Sequence, residues 1–323
     1  MRGYRKFFLM VAVLMVAGIL AEGLMRLAAT DYSARQNEHR RKLGAVYMTL
    51  NNPFYEIIDE EIRAVVENRG DVLISRDPAL SVERQIAEVK ELIEGGVEII
   101  FINPVDWKKM EPALQAALDA GIPVIAIDTN VQEEGLVACT VVSDNYRAGV
   151  QCAEHLVAHS TGGGVALLKH TEARSAYDRI QGFRDALKSH PEFVIMDEAE
   201  CLGQLELAMP AMEEMLARHP DIGIVMALND PAAMGALAAL ENAGRLDSVK
   251  VYGVDGVPET KEMIAAGHME ATAEQSPRLI GRIAAEQAYR ILDGHTVDEA
   301  HIVLATRLLT RENISRESIE RWE

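Results

Sequence analysis

Amide or carboxylate residues follow five short apolar runs that have the length and composition of buried strands. They are Asn103, Asp128, Asn229, Asp255 and Gln275. In open α/β sheets ligands bind beyond the carboxyl ends of the strands, so these side chains are predicted to meet at such an edge. Carboxylates accept hydrogen bonds and amides both donate and accept, which suits a polyhydroxylated ligand better than a phosphate. The alternative is that Asn and Asp only form the turns after the strands.

A sixth apolar run, 43–47, leads into a stretch that combines polar and aromatic residues. Met48, Asn52, Phe54 and Tyr55 follow it, and a proline between them introduces a helical pattern. The start of a helix presents free amide N–H groups, so this stretch adds donors to the same edge. Phe54 and Tyr55 could offer ring faces to the C–H side of a sugar, or could pack in the core instead.

The elements that would position these residues alternate regularly from residue 43 onward. The run 71–75 is predicted to be a strand, and 81–94 and 107–120 are predicted to be helices. A strand, helix, strand rhythm indicates right-handed crossovers and a doubly wound parallel sheet. An acidic loop at 129–136 interrupts the rhythm before a second series begins. The fold class is therefore α/β with two lobes.

Several short motifs along the chain match those of one protein family and occur in the same order. The stretch 48–55 is followed by 102–106, 125–128, 143–145, 179–183, 229–230, 253–256 and 274–275. The chain resembles the periplasmic sugar-binding proteins of the ribose-binding type, which have the periplasmic binding protein type 1 fold. The resemblance implies two doubly wound parallel-sheet lobes joined by a three-strand hinge, with crossings near Ser143, Gln275 and Ala305. The implied lobes are 43–143 plus 276–304, and 144–275 plus 305–323.

The resemblance also implies a ligand-facing role for Arg179, whose positive charge would offset the two aspartates. Several further positions match the family's site less strongly: Met48, Thr129, Asn130, Ser143, His170 and Val254. Family members often carry Arg directly after the residue that matches Asp128 and an aromatic residue at position 254, and this chain has neither. Replacement groups could come from His170, Glu172 or Tyr177. We therefore expect a monosaccharide-like ligand.

Other signals favour structural roles. His155 and His159 are four residues apart but lack the glutamate of a zinc-protease motif, and the glycines at 162–164 precede a strand, so they are predicted to form a turn. Cys139, Cys152 and Cys201 have no motif spacing and are predicted to be buried thiols, with one internal disulfide as the alternative. We find neither a nucleophile with its base nor a metal-ligand cluster in the sequence. The expectation is a binding protein without enzyme activity, cofactor or metal.

Charge and the N-terminus bear on location and partners. A formal charge of -18 argues against nucleic acid, and the chain offers no helix-turn-helix before residue 43, as a lac-repressor-type regulator would need. Basic residues precede an apolar segment at 7–25, so 1–30 is predicted to be a signal or an N-in transmembrane anchor, with 31–42 as a tether. The predicted location is extracytoplasmic. The expected partner is an ABC-type sugar permease, or alternatively a membrane sensor kinase.

Overall fold

The computed structural model describes residues 40–297, 299–315 and the single residues 20, 319, 321 and 322. The predicted anchor and most of the predicted tether lie outside the described residues, so both stay predictions. Among the helices in the described part of the chain, none is long and apolar enough to cross a membrane.

Twelve strands and nine helices are formed within the described residues. The strands are β1 Lys42–Val46, β2 Val72–Arg76, β3 Ile99–Ile102, β4 Val124–Asp128, β5 Cys139–Ser143, β6 Gly163–Lys169, β7 Phe193–Glu200, β8 Ile222–Ala227, β9 Lys250–Asp255, β10 Ala271–Glu274, β11 His301–Leu304 and β12 Arg307–Thr310. The helices are α1 Pro53–Asn68, α2 Val82–Glu94, α3 Glu111–Asp119, α4 Asn145–His159, α5 Arg174–Leu187, α6 Leu205–Arg218, α7 Asp230–Asn242, α8 Pro258–Ala266 and α9 Pro277–Leu292.

The strands form two six-stranded sheets, each covered by helices. The first sheet has the order β11-β5-β4-β3-β1-β2 and is entirely parallel. The second has the order β12-β10-β9-β8-β6-β7 and is parallel except for its edge strand β12, which runs antiparallel to β10. All residues of β3 and of β4 are buried, as expected for strands covered on both faces. The predicted α/β fold with two parallel-sheet lobes is confirmed.

The chain passes between the sheets three times. It leaves the first sheet after β5 and returns after β10, because α9 packs on α1 and β5. It crosses a third time between β11 and β12. An ion-pair cluster connects the last two crossings, because the buried Glu274 carboxylate lies 2.6 Å from Nη2 of the exposed Arg307 and 3.0 Å from Nζ of the buried Lys261. Such a cluster fixes the relative positions of β10 and β12 at the hinge.

The sequence prediction is wrong about where the third helix starts. That helix begins at Glu111, and Trp107 lies in the turn before it. The turn forms because the Asp106 carboxylate accepts the Lys108 N–H at 2.9 Å, which competes with helical bonding. The strands β11 and β12 were not predicted, because their residues are mostly exposed or half-buried and so give no buried apolar run. The three cysteines are free and buried, which confirms their predicted state.

Candidate functional site

A cavity with about 390 Å³ of non-atom space, part of it open to solvent, lies between the two sheets, at the carboxyl ends of their strands. The first lobe contributes Met48, Thr49, Asn52, Phe54, Tyr55 and Asp128. The second lobe contributes His170, Ala173, Ser175, Ala176, Arg179, Leu202, Gly203, Gln204, Leu228, Asn229 and Asp255.

The lobes contact each other directly around this cavity. The Ser175 N–H donates to Thr129 Oγ1 at 2.8 Å, and the Trp107 N–H donates to the Glu172 carbonyl at 3.0 Å. A third contact joins Asn51 Nδ2 to a glutamine of the second lobe, Gln204 Oε1, at 3.0 Å. The structure is therefore a closed conformation, with the two lobes in contact around the cavity.

Asp128, the last residue of β4, carries the least satisfied carboxylate of the cavity. Its Oδ2 accepts one hydrogen bond from Asn103 Nδ2 at 3.2 Å, whereas its Oδ1 is buried without a partner among the described residues. Burial raises the pKa of Asp128 to about 6, and the nearby Arg179 guanidinium partly opposes this rise. A buried oxygen without a donor, on the wall of a cavity, is suited to accept a hydrogen bond from a ligand.

Arg179, on α5, is the centre of a buried polar cluster on the opposite wall. Its Nε donates to Asn145 Oδ1 at 2.7 Å, and its Nη1 donates to the Leu228 carbonyl at 3.1 Å and lies 3.4 Å from Asp255 Oδ1. The same Asp255 oxygen accepts from Gln275 Nε2 at 2.7 Å. Burial raises the pKa of Asp255 well above its usual range, while Arg179 opposes that shift. The guanidinium is thus held in one orientation by partners on three elements.

The backbone is strained at three positions around the cavity. Asp128, Leu202 and Asp255 have φ values of 63°, 52° and 131°, which residues other than glycine rarely adopt. Strain of this kind costs on the order of 1 to 3 kcal/mol per residue and concentrates at functional sites. At both aspartates it aims a carboxylate from the end of a strand into the space between the lobes.

The remaining lining combines aromatic and apolar side chains with neutral polar ones. The Phe54 and Tyr55 rings are mutually edge-on, with centroids 5.7 Å apart, and the Tyr55 hydroxyl donates to Met48 Sδ at 3.3 Å. His170 faces the same cavity from the second lobe. Its burial lowers its pKa to about 4, so the imidazole is neutral at physiological pH. The cavity thus combines ring faces, which suit the C–H side of a ligand, with charged groups that suit its polar atoms.

Comparison with known proteins identifies the family. The family model of the periplasmic binding protein domain matches residues 43–296, most of the chain. The chain belongs to the periplasmic binding protein family. The ribose import binding protein of Bacillus subtilis is 31% identical over 295 residues, covering 90% of this chain and 95% of that relative. This similarity confirms the ribose-binding type within the family.

Solved structures give the same assignment. A solute binding protein of an ABC transporter from Mycobacterium smegmatis, with bound glycerol, has a TM-score of 0.80 and 32% identity, over 85% of this chain and 95% of that one. A galactofuranose binding protein has a TM-score of 0.82 and 25% identity, over 86% of this chain and 97% of that one. Both support the type 1 periplasmic binding protein fold.

Most of the residues predicted for the site of this periplasmic binding protein line the cavity. They are Met48, Asn52, Phe54, Tyr55, Asp128, His170, Arg179, Asn229 and Asp255. Two of them also have the turn-forming role that the sequence left open. Asn52 Oδ1 accepts the Phe54 N–H at 3.0 Å, and Asn229 Oδ1 accepts the Ala232 N–H at 3.0 Å, so both side chains cap helices.

The other predicted residues do not line the cavity: Asn103, Thr129, Asn130, Ser143, Val254 and Gln275. Asn103 lies beneath it, because its Oδ1 accepts the Met48 N–H at 3.0 Å while its Nδ2 donates to Asp128. Gln275 similarly donates a hydrogen bond to Asp255, and Thr129 accepts one from Ser175 at the contact between the lobes.

Ser143 and Val254 are buried within strands, and Asn130 is half-buried outside the cavity. Their place near a strand end does not bring their side chains to the cavity. Of the suggested replacement groups, only His170 reaches it. Glu172 lies at the contact between lobes, and Tyr177 is exposed.

Sequence reasoning missed several lining residues, among them Thr49, Ser175 and Gln204. The loop that carries Gln204 follows β7, so it leaves the second sheet at the same edge as the predicted residues. Its position at this edge could have identified Gln204 from the sequence. The sequence around Ser175 gave no such signal, because nothing local distinguishes a serine in the first turn of a helix from a surface residue.

Proposed function

We propose that this periplasmic binding protein captures a monosaccharide-like ligand outside the cytoplasm and delivers it to the permease of an ABC-type transporter. The observation that carries the proposal is the closed cavity, in which Asp128 on one lobe faces Arg179 and Asp255 on the other. The relatives named above support it, because they are an import binding protein and transporter-associated binding proteins. The role is binding without a chemical step, a cofactor or a metal.

In this proposal each wall has its own task. Phe54 and Tyr55 contact the C–H face of the ligand, Asp128 Oδ1 accepts a hydrogen bond from it, and Arg179 and Asp255 bind it from the other lobe. Asn103 and Gln275 act as positioning residues, since each holds one of the two carboxylates. Ligand binding then favours the closed state, because only that state offers both sets of contacts.

We infer the same lobe limits that the sequence predicts, 43–143 with 276–304 and 144–275 with 305–323. Sheet membership supports this division. Strands β1 to β5 and β11 share the first sheet, whereas β6 to β10 and β12 share the second. Three crossings between lobes would act as a hinge.

The test of the binding role is a ligand screen with a matched pair of variants. Thermal shift followed by calorimetry is run with pentoses, hexoses, their amino derivatives and polyols, and at least one compound should bind and raise the melting temperature. Asp128→Ala should weaken that binding by about 2 to 4 kcal/mol, since a buried donor group of the ligand loses its charged acceptor. The exposed Asp119→Ala is the control and should bind normally. Failure of every compound to bind would contradict the proposal.

We further propose that residues 1–30 anchor the protein in the membrane, with its lobes outside. An uncleaved segment 7–25 approaches the roughly 20 residues needed to span a bilayer. Membrane fractionation followed by intact mass of the native protein should find the full chain in the membrane. A soluble form that begins between residues 24 and 31 would contradict the anchor and leave a secreted receptor.

Transport is preferred to signalling because the relatives are import proteins. Genes for a permease and an ATPase beside this gene would agree with transport. A sensor kinase and a response regulator in that position would contradict it.

A further inference from the structure

The cavity contains more negative than positive charge. Its lining includes two carboxylates, Asp128 and Asp255, and one guanidinium, Arg179. His170 adds no charge at neutral pH, because burial lowers its pKa to about 4. A further carboxylate behind the wall, Asp230, is already served by four donors, the N–H groups of residues 256 and 257 and the hydroxyls of residues 260 and 272. With both lining carboxylates ionised, closing the cavity therefore encloses one more negative than positive charge.

The two carboxylates that line the cavity differ in their hydrogen-bond donors and charged partners. Asp255 lies beside Arg179 and accepts a short hydrogen bond from Gln275. The Arg179 guanidinium is in turn bound to Asn145 and to the Leu228 carbonyl, so its position is fixed on that wall. Asp128 accepts a hydrogen bond from Asn103 Nδ2 on Oδ2, and the Tyr55 hydroxyl lies close enough to lower its pKa, but no cation is bound to it directly. The excess negative charge is thus localised at Asp128.

Apart from Arg179, which partly lowers the pKa of Asp128 from the opposite wall, the groups near Asp128 are neutral or negative. The Tyr55 hydroxyl, from α1, is close enough to lower the pKa of Asp128, but it donates to Met48 Sδ and carries no charge at neutral pH. Asn103 is neutral, and Asp255 repels Asp128 across the cavity. The residue after Asp128, Thr129, has its hydroxyl engaged with the Ser175 N–H. Arg179 is consequently the only cation among the described residues that line this cavity.

A neutral sugar would leave this charge uncompensated. Its hydroxyl groups can donate hydrogen bonds to Asp128 Oδ1, but a buried carboxylate without a counter-charge stays costly once water is expelled. A ligand ammonium group at that oxygen would supply both the hydrogen bond and the charge. The Phe54 and Tyr55 rings, which line the same cavity, would tolerate a cation near their faces.

We propose that the preferred ligand is an amine-bearing sugar or polyol whose ammonium group binds Asp128 Oδ1. This inference rests on the proposed sugar-binding function and narrows the class of ligand within it. The remaining hydroxyl groups of the ligand face Arg179, Asn229 and Asp255, and its carbon skeleton faces the aromatic wall.

The experiment compares matched pairs by calorimetry at neutral pH. D-glucosamine is compared with D-glucose, D-galactosamine with D-galactose, and 1-amino-1-deoxy-D-fructose with D-fructose. At least one amine should bind about tenfold or more tightly than its parent, the usual advantage of a charge-assisted hydrogen bond. This preference should disappear in Asp128→Asn and persist in Glu259→Gln, which removes an exposed carboxylate at the rim of the cleft. It should also decline below about pH 6, where Asp128 becomes protonated.

Two results would overturn the inference and leave the proposed function standing. One is that every parent sugar that binds does so at least as tightly as its amine. The other is that a neutral sugar binds with uptake of about one proton, measured in two buffers of different ionisation enthalpy, since a proton would then neutralise Asp128. If no sugar or polyol, neutral or amino, binds or raises the melting temperature, the proposed function itself fails and the inference fails with it.

Discussion

At the scale of the residue, Arg179 is the side chain that holds the polar groups of the second lobe's wall together. Its side chain is buried and joins an asparagine on α4, the carbonyl of Leu228 and the carboxylate of Asp255. A planar guanidinium can serve these directions at once, whereas an ammonium group cannot. The orientation of the second lobe's binding wall therefore depends on the planar shape of the guanidinium as well as on its charge.

We expect Arg179→Lys to weaken ligand binding by about 2 to 3 kcal/mol, because the lysine leaves at least one buried acceptor without a donor. The loss would appear in calorimetry with a ligand identified by the screen. Arg184→Lys, on the same helix but partly exposed and paired with Glu198 of the same lobe, is the matched control and should bind normally. Equal affinities for the two variants would show that only the positive charge matters.

At the scale of the element, the packing of α4 against α5 positions that wall. A Cβ atom on Gly149 would lie 1.8 Å from the Arg179 carbonyl oxygen, and one on Gly182 would lie 2.1 Å from the Tyr146 carbonyl oxygen. No real Cβ approaches backbone this closely, so the two helices can cross here only because both positions are glycine. The crossing brings Asn145, at the start of α4, within reach of Arg179.

Gly182→Ala should therefore destabilise the protein by about 1 to 3 kcal/mol, as overpacking does, and should also reduce ligand affinity by displacing α5. Denaturant unfolding and calorimetry would measure the two effects. The control is Gly223→Ala in β8 of the same lobe, where an added Cβ meets nothing within 4 Å. The packing argument would fail if Gly182→Ala were as stable as this control.

At the scale of the whole molecule, the two lobes make hydrogen bonds with each other that can form only in the closed state. The hydrogen bond from the Ser175 N–H to Thr129 Oγ1 is one of these, and it lies beside the cavity. In the open state Thr129 is free to bind water instead. Such a contact stabilises the closed, ligand-bound state without contributing to the stability of either lobe.

Small-angle scattering should show a smaller radius of gyration when the correct ligand is added. Thr129→Val should speed ligand dissociation and weaken binding by about 1 kcal/mol, the net value of one hydrogen bond, while the melting temperature without ligand stays unchanged. A radius of gyration that did not change at saturating ligand would instead indicate a rigid scaffold.

Much of this architecture was predictable from the sequence because it depends on local patterns. The alternation of buried strands with amphipathic helices predicted the two parallel-sheet lobes, and the order of the motifs predicted the family. Asp128 and Asp255 were found because each ends a strand, and the ends of parallel strands share one edge. Hydrophobic periodicity is encoded residue by residue, so these features need no knowledge of distant contacts.

The direction in which each polar side chain points was decided only by the tertiary structure. Asn103 and Asp128 both follow buried strands, but Asp128 has a positive φ and faces the cavity, whereas Asn103 faces the Met48 backbone. The role of Asn103 depends on β1 and β4, which flank its strand in the sheet but are distant from it along the chain. Thr129, expected at the ligand, binds the opposite lobe instead. Which partner a buried polar group meets is a non-local outcome, because each donor and acceptor must be satisfied by whatever the fold brings within about 3 Å of it.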